Sequence, residues 1–277
     1  MLKRVLPVIL GLILVVAVTI GAISFLKAQI GSPAAHGGST AQGPTTEDDD
    51  DFGTVKIYSV NDDGTLDPAA DGLTEHVWET FKRITTPAFA AEVMTQFRVG
   101  DAPDSDTLAY VYQDDDPQNW ILAANLATSK DDSDLIATLV HEYSHILTLD
   151  GMQLDEHAAS CDTLDLAEGC ATGDSYLWSF DKQFWSDYTD APDVDNSDGD
   201  LAYDFYLDHE DDFVSDYAAT NVVEDIAESF MTFVLEDQPS GHSVTAQKLD
   251  FFWQYSELVA IRERIRDEFA GDLGLAQ

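Results

Sequence analysis

The sequence predicts an α+β domain, because short segments of strand character precede several longer helical patterns along the chain. An amphipathic helix is predicted over residues 73–84. Three runs rich in β-branched and aromatic residues then predict a small sheet; they are residues 96–99, 107–112 and 119–124. Apolar residues at helical spacing predict further core-packing helices over the ranges 134–149, 175–185, 222–235 and 243–269.

The first 30 residues predict a membrane-spanning helix. Lys3 and Arg4 precede 22 uncharged residues, Val5 to Leu26, which would extend about 33 Å as a helix and so cross a bilayer. The positive-inside rule then places the N-terminus in the cytoplasm and the folded domain outside the cell membrane, in a single-pass arrangement. The alternative is a cleaved signal segment, cut near Ser32, which would give a secreted protein.

A flexible spacer is predicted for residues 31–53, in which Gly, Ser and Pro give way to a run of acids. We interpret the four consecutive aspartates of residues 48–51 as part of this disordered, solvated spacer. The remaining residues, 54–277, are enough for one domain with a single hydrophobic core.

The charge of the chain excludes one class of partner. With 53 acidic and 13 basic residues, the formal net charge is −40, which would repel nucleic acid. The acids are spread along the whole domain, and this favours a role in solvation, as in a high-salt environment where counterions screen self-repulsion. Electrostatic steering of a basic substrate towards a cleft is the alternative.

The helix predicted over residues 134–149 carries a metal-binding pattern. His141 and His145 are four residues apart and share one face, so both imidazoles can converge on one metal ion. Glu142 would lie close enough to a metal-bound water to act as its base. Apolar residues surround the helix on most sides, and a metal would supply the partner that buried histidines need. The candidate N-caps are Asp131, Asp132 and Ser133.

A third protein ligand is expected in the helix predicted over residues 222–235, which Asn221 or Thr220 can cap. Glu224 and Glu228 are four residues apart in this apolar segment and share a face. One carboxylate could bind zinc while the other accepts a hydrogen bond from a ligand histidine and fixes its tautomer. Two exposed surface acids are the alternative interpretation.

The two helices together resemble the gluzincin zinc metallopeptidases, in particular the branch that contains the catalytic domain of anthrax lethal factor. The motifs that carry the resemblance are His141-Glu-Tyr-Ser-His145 and Tyr217-x-x-x-Asn221-x-x-Glu224-x-x-x-Glu228. The resemblance implies a zincin-like fold in which one zinc ion has three protein ligands, His141, His145 and Glu224. It further implies that Glu142 is the general base, that Tyr217 stabilises the oxyanion beside the metal, and that Glu228 supports the ligands from outside the coordination sphere.

A strand that borders the active-site cleft is a further expectation from the resemblance. In this sequence the last strand before the helix of residues 134–149 would be Trp120 to Asn125. We expect that strand to border the cleft, where it could pair with an extended peptide substrate.

Cys161 and Cys170 are the only cysteines of the chain. In an extracytoplasmic domain we expect them to form one disulfide, which would stabilise so short a loop by no more than about 2–3 kcal/mol. Free thiols are the alternative, because the spacing does not suit a zinc ribbon.

Two loop features give weaker metal-site hypotheses. His157 lies in a polar loop, where a solvated histidine is the simpler interpretation. The acidic segment 190–200 suggests calcium, but placing Gly199 at the sixth position of an EF-hand puts Val194 at the first ligand. We therefore interpret this segment as a solvated insertion and keep calcium as the alternative.

The function predicted from these features is that of an extracytoplasmic, membrane-anchored zinc endopeptidase. It would hydrolyse peptide or protein substrates through a zinc-activated water, with Glu142 as general base. The alternative is a non-catalytic, zinc-stabilised binding or adhesion module on the cell surface. A metal-free scaffold whose histidines only pack is the third hypothesis.

Overall fold

The computed structural model describes residues 43–274 and has an α+β architecture, as predicted. Its larger sheet has the strand order β1-β2-β4-β6-β5, with β3 paired to β2 outside this path. These strands are β1 (Thr45–Asp49), β2 (Gly53–Val60), β3 (Leu66–Asp67), β4 (Met94–Gly100), β5 (Ala109–Gln113) and β6 (Trp120–Asn125). Strands β4 and β6 are parallel, and the other pairs are antiparallel.

Eight α-helices lie between residues 43 and 274. They are α1 (Gly72–Thr85), α2 (Pro87–Val93), α3 (Asp132–Leu149), α4 (Tyr176–Phe184), α5 (Gly199–Asp208), α6 (Val222–Leu235), α7 (Val244–Phe252) and α8 (Ser256–Glu268). A small antiparallel sheet follows α3 and consists of β7 (Leu154–Asp155), β8 (Asp165–Leu166) and β9 (Gly169–Ala171). Single 3-10 turns span Glu210–Asp212 and Tyr217–Ala219.

Helices α3 and α6 pack against each other in the main hydrophobic core. The two helices contribute buried apolar side chains to it, among them Leu139, Val140, Ile226 and Phe230. In proteins, most of the stability of a helix comes from burial of this kind in tertiary packing. Packing these two helices together brings the two predicted site segments into contact across a long separation in sequence.

The strand at the free edge of the sheet beside α3 is β5, and the expectation that Trp120–Asn125 borders the cleft is wrong. Strand β6 pairs with β4 on one side and with β5 on the other, so it has no edge left for a peptide. All six of its residues are buried. The chain passes from β4 to the edge strand β5 and then returns to the inside, which reverses the expected order of the last two strands.

The predicted spacer of residues 31–53 is wrong for its last residues, because Thr45–Asp49 forms β1 and pairs with β2. The run of aspartates makes the turn between these strands: a carboxylate oxygen of Asp49 accepts hydrogen bonds from the backbone N–H groups of Asp51 and Phe52. Phe52 is buried on the sheet. A buried aromatic side chain and a carboxylate-capped turn therefore order a segment that composition alone predicts to be solvated.

The C-terminal helix expected over residues 243–269 is two helices, α7 and α8, separated at residues 253–255. The break lets Phe251 and Phe252 of α7 and Ile265 of α8 all enter the core. The helix predicted over residues 175–185 is present as α4.

The predicted membrane helix, residues 1–30, lies outside the described residues. None of the helices between residues 43 and 274 combines the length and the apolar character needed to cross a bilayer.

Candidate metal centre

The two histidines of α3 face each other on one side of the helix, as their spacing predicts. The His145 Nε2 atom lies 3.0 Å from the His141 Nε2 atom. Both residues are buried. The side chain of Asp131 begins this helix by accepting hydrogen bonds from the N–H groups of Ser133 and Asp134, so one of the predicted N-caps is confirmed.

Glu224 of α6 completes a group of three with these histidines. Its Oε2 atom lies 3.2 Å from His141 Nε2 and 3.4 Å from His145 Nε2. Asn221 caps α6 by accepting hydrogen bonds from the N–H groups of Val223 and Glu224. This cap fixes the first turn of the helix, which carries the Glu224 carboxylate. The structure thus brings together the three residues predicted as metal ligands.

The geometry of this group fits a divalent metal ion. Tetrahedral coordination with bonds of about 2.0–2.2 Å places neighbouring ligand atoms about 3.3 Å apart, close to the three observed separations. Glu224 Oε2 is also buried, and the atoms that face it are the two imidazole nitrogens. A buried carboxylate is costly unless a positive charge lies beside it, and a metal ion would supply that charge. The buried group of His141, His145 and Glu224 could therefore hold a metal ion.

Glu228 makes the predicted contact with one of the two candidate ligand histidines. Its Oε1 atom lies 2.8 Å from His141 Nδ1. Because a carboxylate only accepts hydrogen bonds, the proton of the neutral imidazole belongs on Nδ1. That tautomer leaves the Nε2 lone pair free to face Glu224 Oε2 and His145, where a metal ion would bind.

The electrostatics of the group favour an ionised Glu224. Burial raises the pKa of this carboxyl, but the adjacent imidazoles of His145 and His141 outweigh burial and hold the pKa well below its usual range. Burial lowers the pKa of His141, but hydrogen bonds with Glu224 and Glu228 raise it well above 6.5 overall. A metal ion would have to displace the proton that these carboxylates hold on His141.

Glu142 lies beside this group and is 1% exposed. Burial raises the pKa of Glu142 to about 7, against the opposing influence of His141 and His145. The backbone N–H of Val111, in the edge strand β5, also lowers it. The Oε1 atom of Glu142 has no hydrogen-bond partner. A carboxylate that is desolvated and has one oxygen without a hydrogen bond is available to accept a proton from a nearby molecule.

Tyr217 lies in the 3-10 turn immediately before α6, and the centre of its ring is 5.9 Å from that of His141. Its hydroxyl is buried and has no hydrogen-bond partner. Burial, together with the charges of Glu224 and Glu142, raises the pKa of Tyr217 well above 10. The phenol therefore keeps its proton and can act as a hydrogen-bond donor.

His157, the other histidine considered as a ligand, is an exposed loop residue whose ring lies 3.4 Å from the carboxylate of Glu156. It does not belong to the group formed by His141, His145 and Glu224. The simpler interpretation of a solvated histidine is correct.

The acidic segment of residues 190–200 has a structural role that its composition does not predict. The Asn196 side chain donates a hydrogen bond of 2.9 Å to the carbonyl oxygen of Thr220. The Asn221 side chain in turn donates one of 3.0 Å to the carbonyl oxygen of Asn196. These reciprocal bonds attach the insertion to the start of α6, just before Glu224.

Cys161 and Cys170 form the predicted disulfide, with a Cα–Cα distance of 5.4 Å. The alternative of free thiols is wrong. The bond ties β9 to the loop that precedes β8, in the small sheet that follows α3.

Comparisons with protein-family models, with curated proteins and with solved structures find no match for this chain. The resemblance to gluzincins therefore stays a prediction. It rests on the two motifs and on the side chains that they bring together.

Proposed function

We propose that this protein is a zinc-dependent endopeptidase of the gluzincin type, with His141, His145 and Glu224 as the zinc ligands. The observation that carries the proposal is the position of Glu142. This carboxylate is buried, has an unpaired oxygen and interacts with both imidazoles. A metal site that only stabilises the fold does not need such a base.

Glu142 would be the group that moves the proton. When bound, zinc supplies a Lewis acid that polarises the peptide carbonyl and makes a water molecule a stronger nucleophile. A carboxylate oxygen of Glu142 would accept the proton of the attacking water as the new C–O bond forms. Glu142 would then deliver this proton to the amine nitrogen as the C–N bond breaks, so that water is added across the peptide bond.

Tyr217 would stabilise the negative charge that develops on the carbonyl oxygen. Its buried hydroxyl keeps its proton, lies near Glu224 and makes no hydrogen bond of regular geometry, so it can donate one to the substrate. A donor in this role typically contributes about 100- to 1,000-fold to kcat.

The edge strand β5 supports a peptide as the substrate. One side of β5 pairs with β6, and β5 ends the sheet. Val111 of β5 directs its backbone N–H to Glu142, which brings this strand next to the proposed base. An extended peptide can add to a sheet edge through backbone hydrogen bonds, so β5 takes the place that we expected for residues 120–125.

We also propose that the enzyme works outside the cytoplasm. The disulfide between Cys161 and Cys170 supports an oxidising compartment. The apolar segment Val5 to Leu26 would anchor the chain in the cell membrane with the domain outside. A net charge of −40 argues against nucleic acid as a partner.

A second candidate function follows from the depth of the site. His141 is 3% exposed and Glu224 is 2% exposed. Closed zinc sites that only stabilise a fold are buried in this way. The second candidate is therefore a non-catalytic, zinc-stabilised binding module on the cell surface.

The substitution Glu142→Gln separates these two functions. In the full-length protein loaded with zinc, we expect it to leave zinc affinity within about threefold, because Glu142 is not a ligand. Cleavage of an unbiased peptide library should fall by at least about 100-fold, since the base is lost. Glu92→Gln is the matched control, because Glu92 is an exposed helical glutamate.

The two functions give opposite results in this experiment. Unchanged peptide cleavage by the Glu142→Gln protein would contradict the proposed mechanism. Tight zinc binding without cleavage of any peptide by the unmodified protein would favour the binding module.

A further inference from the structure

The hydroxyl of Ser215 joins two parts of the site, the carboxylate of Glu228 and the turn that carries Tyr217. Its Oγ atom lies 2.7 Å from the Oε2 atom of Glu228. The same Oγ atom accepts a hydrogen bond of 3.1 Å from the backbone N–H of Ala218, inside the turn that carries Tyr217. Ser215 is half-buried and precedes Tyr217 by two residues.

The directions of these hydrogen bonds follow from the chemistry of the groups. A serine hydroxyl has one proton to donate and two lone pairs that accept. The backbone N–H of Ala218 can only donate, and the carboxylate of Glu228 can only accept. The single proton of Ser215 therefore goes to Glu228, and a lone pair receives the Ala218 N–H.

Glu228 is in this way held at both of its oxygens. Ser215 donates to Oε2, while His141 donates from Nδ1 to Oε1 across 2.8 Å. A carboxylate fixed at both ends cannot rotate without breaking one of these bonds. The imidazole of His141, whose Nε2 faces Glu224, is consequently held in one orientation.

We propose that Ser215 is a positioning residue that acts on both halves of the site. Through Glu228, its hydroxyl keeps His141 Nε2 directed at the metal position. Through Ala218, it holds the turn that places the Tyr217 ring beside His141. The first effect concerns metal binding alone, whereas the second rests on the proposed peptidase function.

The turn itself explains why one hydrogen bond there matters. It consists of a single 3-10 turn, Tyr217–Ala219, closed by backbone bonds from Ala219 to Asp216 and from Thr220 to Tyr217. A turn this short has little stability of its own. A side chain that accepts a hydrogen bond from one of its N–H groups therefore contributes a large part of its stability.

Zinc affinity of the full-length protein is the primary test, measured by competition with a chromophoric chelator. In Ser215→Ala the outer support of His141 is lost, and zinc should bind about tenfold more weakly, the lower end of the usual range for such partners. Ser215→Thr keeps the hydroxyl and should stay within about threefold of the unmodified protein.

Ser175→Ala is the matched control for the loss of a serine that accepts a backbone N–H. Ser175 caps α4 by accepting the N–H of Trp178 at 3.2 Å, and it is buried. We expect zinc affinity to be unchanged in this variant. Thermal unfolding of all three variants checks that each is folded.

Several outcomes would overturn the role of Ser215. One is a Ser215→Ala protein that binds zinc as tightly as the unmodified protein. Another is an equal loss of affinity in Ser215→Ala and Ser215→Thr, or in Ser215→Ala and Ser175→Ala, because the effect would then not come from this hydroxyl. An unmodified protein that binds no zinc would overturn both this proposal and the peptidase.

The catalytic half of the proposal is tested at saturating zinc. Ser215→Ala should lower kcat with little change in KM, because a displaced Tyr217 hydroxyl affects the transition state more than substrate binding. An unchanged kcat would contradict the coupling through Ala218. If the unmodified protein binds zinc but cleaves no peptide, the peptidase proposal fails, while the zinc titration still decides the role of Ser215 in metal binding.

Discussion

The ammonium group of Lys248 lies 2.7 Å from the Asp225 carboxylate, and both side chains are fully buried. Asp225 directly follows Glu224, so this ion pair joins α7 to the helix that carries the candidate metal ligand. The indole N–H of Trp185 also donates a hydrogen bond of 2.7 Å to Asp225. Lys248 lies 3.8 Å above the ring of Phe213, in a cation–π contact.

Removal of the lysine charge should destabilise the fold strongly. Lys248→Met leaves the Asp225 carboxylate buried without its counter-ion, and breaking such a pair typically costs about 3–5 kcal/mol. The double substitution Asp225→Asn with Lys248→Met removes both charges and should recover most of that loss. Denaturant unfolding of the metal-free protein measures both values.

The burial of the pair explains the size of this expected effect. Desolvation raises the pKa of Asp225 and lowers that of Lys248, while each partner acts in the opposite direction on the other. If Lys248→Met lowered the free energy of unfolding by less than about 1 kcal/mol, the Asp225 carboxylate would have gained water or a proton in place of the lysine. The pair would then contribute no more than an exposed ion pair does.

Glu228 should control zinc affinity without being a ligand. Glu228→Ala removes the acceptor of the His141 Nδ1 proton, and loss of such a partner typically weakens zinc binding by about 10- to 100-fold. Chelator competition measures the change. Glu236→Ala, at the exposed C-terminal end of the same helix, should leave affinity unaltered. Equal affinities for both variants would show that His141 is oriented by packing alone.

The Asn221 side chain should matter in two separable ways, because it accepts two hydrogen bonds and donates one. As the cap of α6, its side-chain oxygen accepts hydrogen bonds from the N–H groups of Val223 and Glu224. Its side-chain amide donates a hydrogen bond to the carbonyl oxygen of Asn196. Asn221→Ala loses both functions and should lower the free energy of unfolding by about 1–2 kcal/mol for the cap alone.

Asn221→Ser keeps a side-chain oxygen that can accept the bonds of this cap, and it removes the amide that donates to Asn196. It should therefore cost less stability than Asn221→Ala, as judged by denaturant unfolding. If both variants lost the same stability, the bond to the insertion, and not the cap, would be what matters at the start of α6.

The sequence could predict the site because helical geometry is local. Residues four apart share a face wherever the helix lies, so His141 and His145, and likewise Glu224 and Glu228, could be paired before the fold was known. The contact between the two helices was not derivable in this way. It came from the requirement of a zinc ion for a third ligand and from the family resemblance.

Other features depend on pairing between distant segments and could not be predicted from patterns. Strands β5 and β6 are both short and contain aromatic and other apolar residues, and their pairing decides which one is at the edge. No pattern in the sequence predicts the role of Ser215, because one of its partners is a carboxylate on the next helix. The position of Lys248 is informative: it shares a helical face with Phe251 and Phe252, and a lysine on an apolar face indicates a buried counter-ion.

Salt should stabilise this protein, because 53 acidic residues face only 13 basic ones. Self-repulsion destabilises the compact state, and the screening length falls from about 10 Å at 0.1 M to about 3 Å at 1 M salt. We therefore expect the thermal unfolding midpoint to rise steadily between these NaCl concentrations.

A neutral osmolyte at matched osmolality is the control, since it stabilises proteins by exclusion from the surface without screening charge. The alternative role of the acids, steering of basic substrates, predicts instead that kcat/KM for basic peptides falls over the same range while the midpoint stays constant. A midpoint that rises equally with the osmolyte would show that self-repulsion is not what the salt relieves.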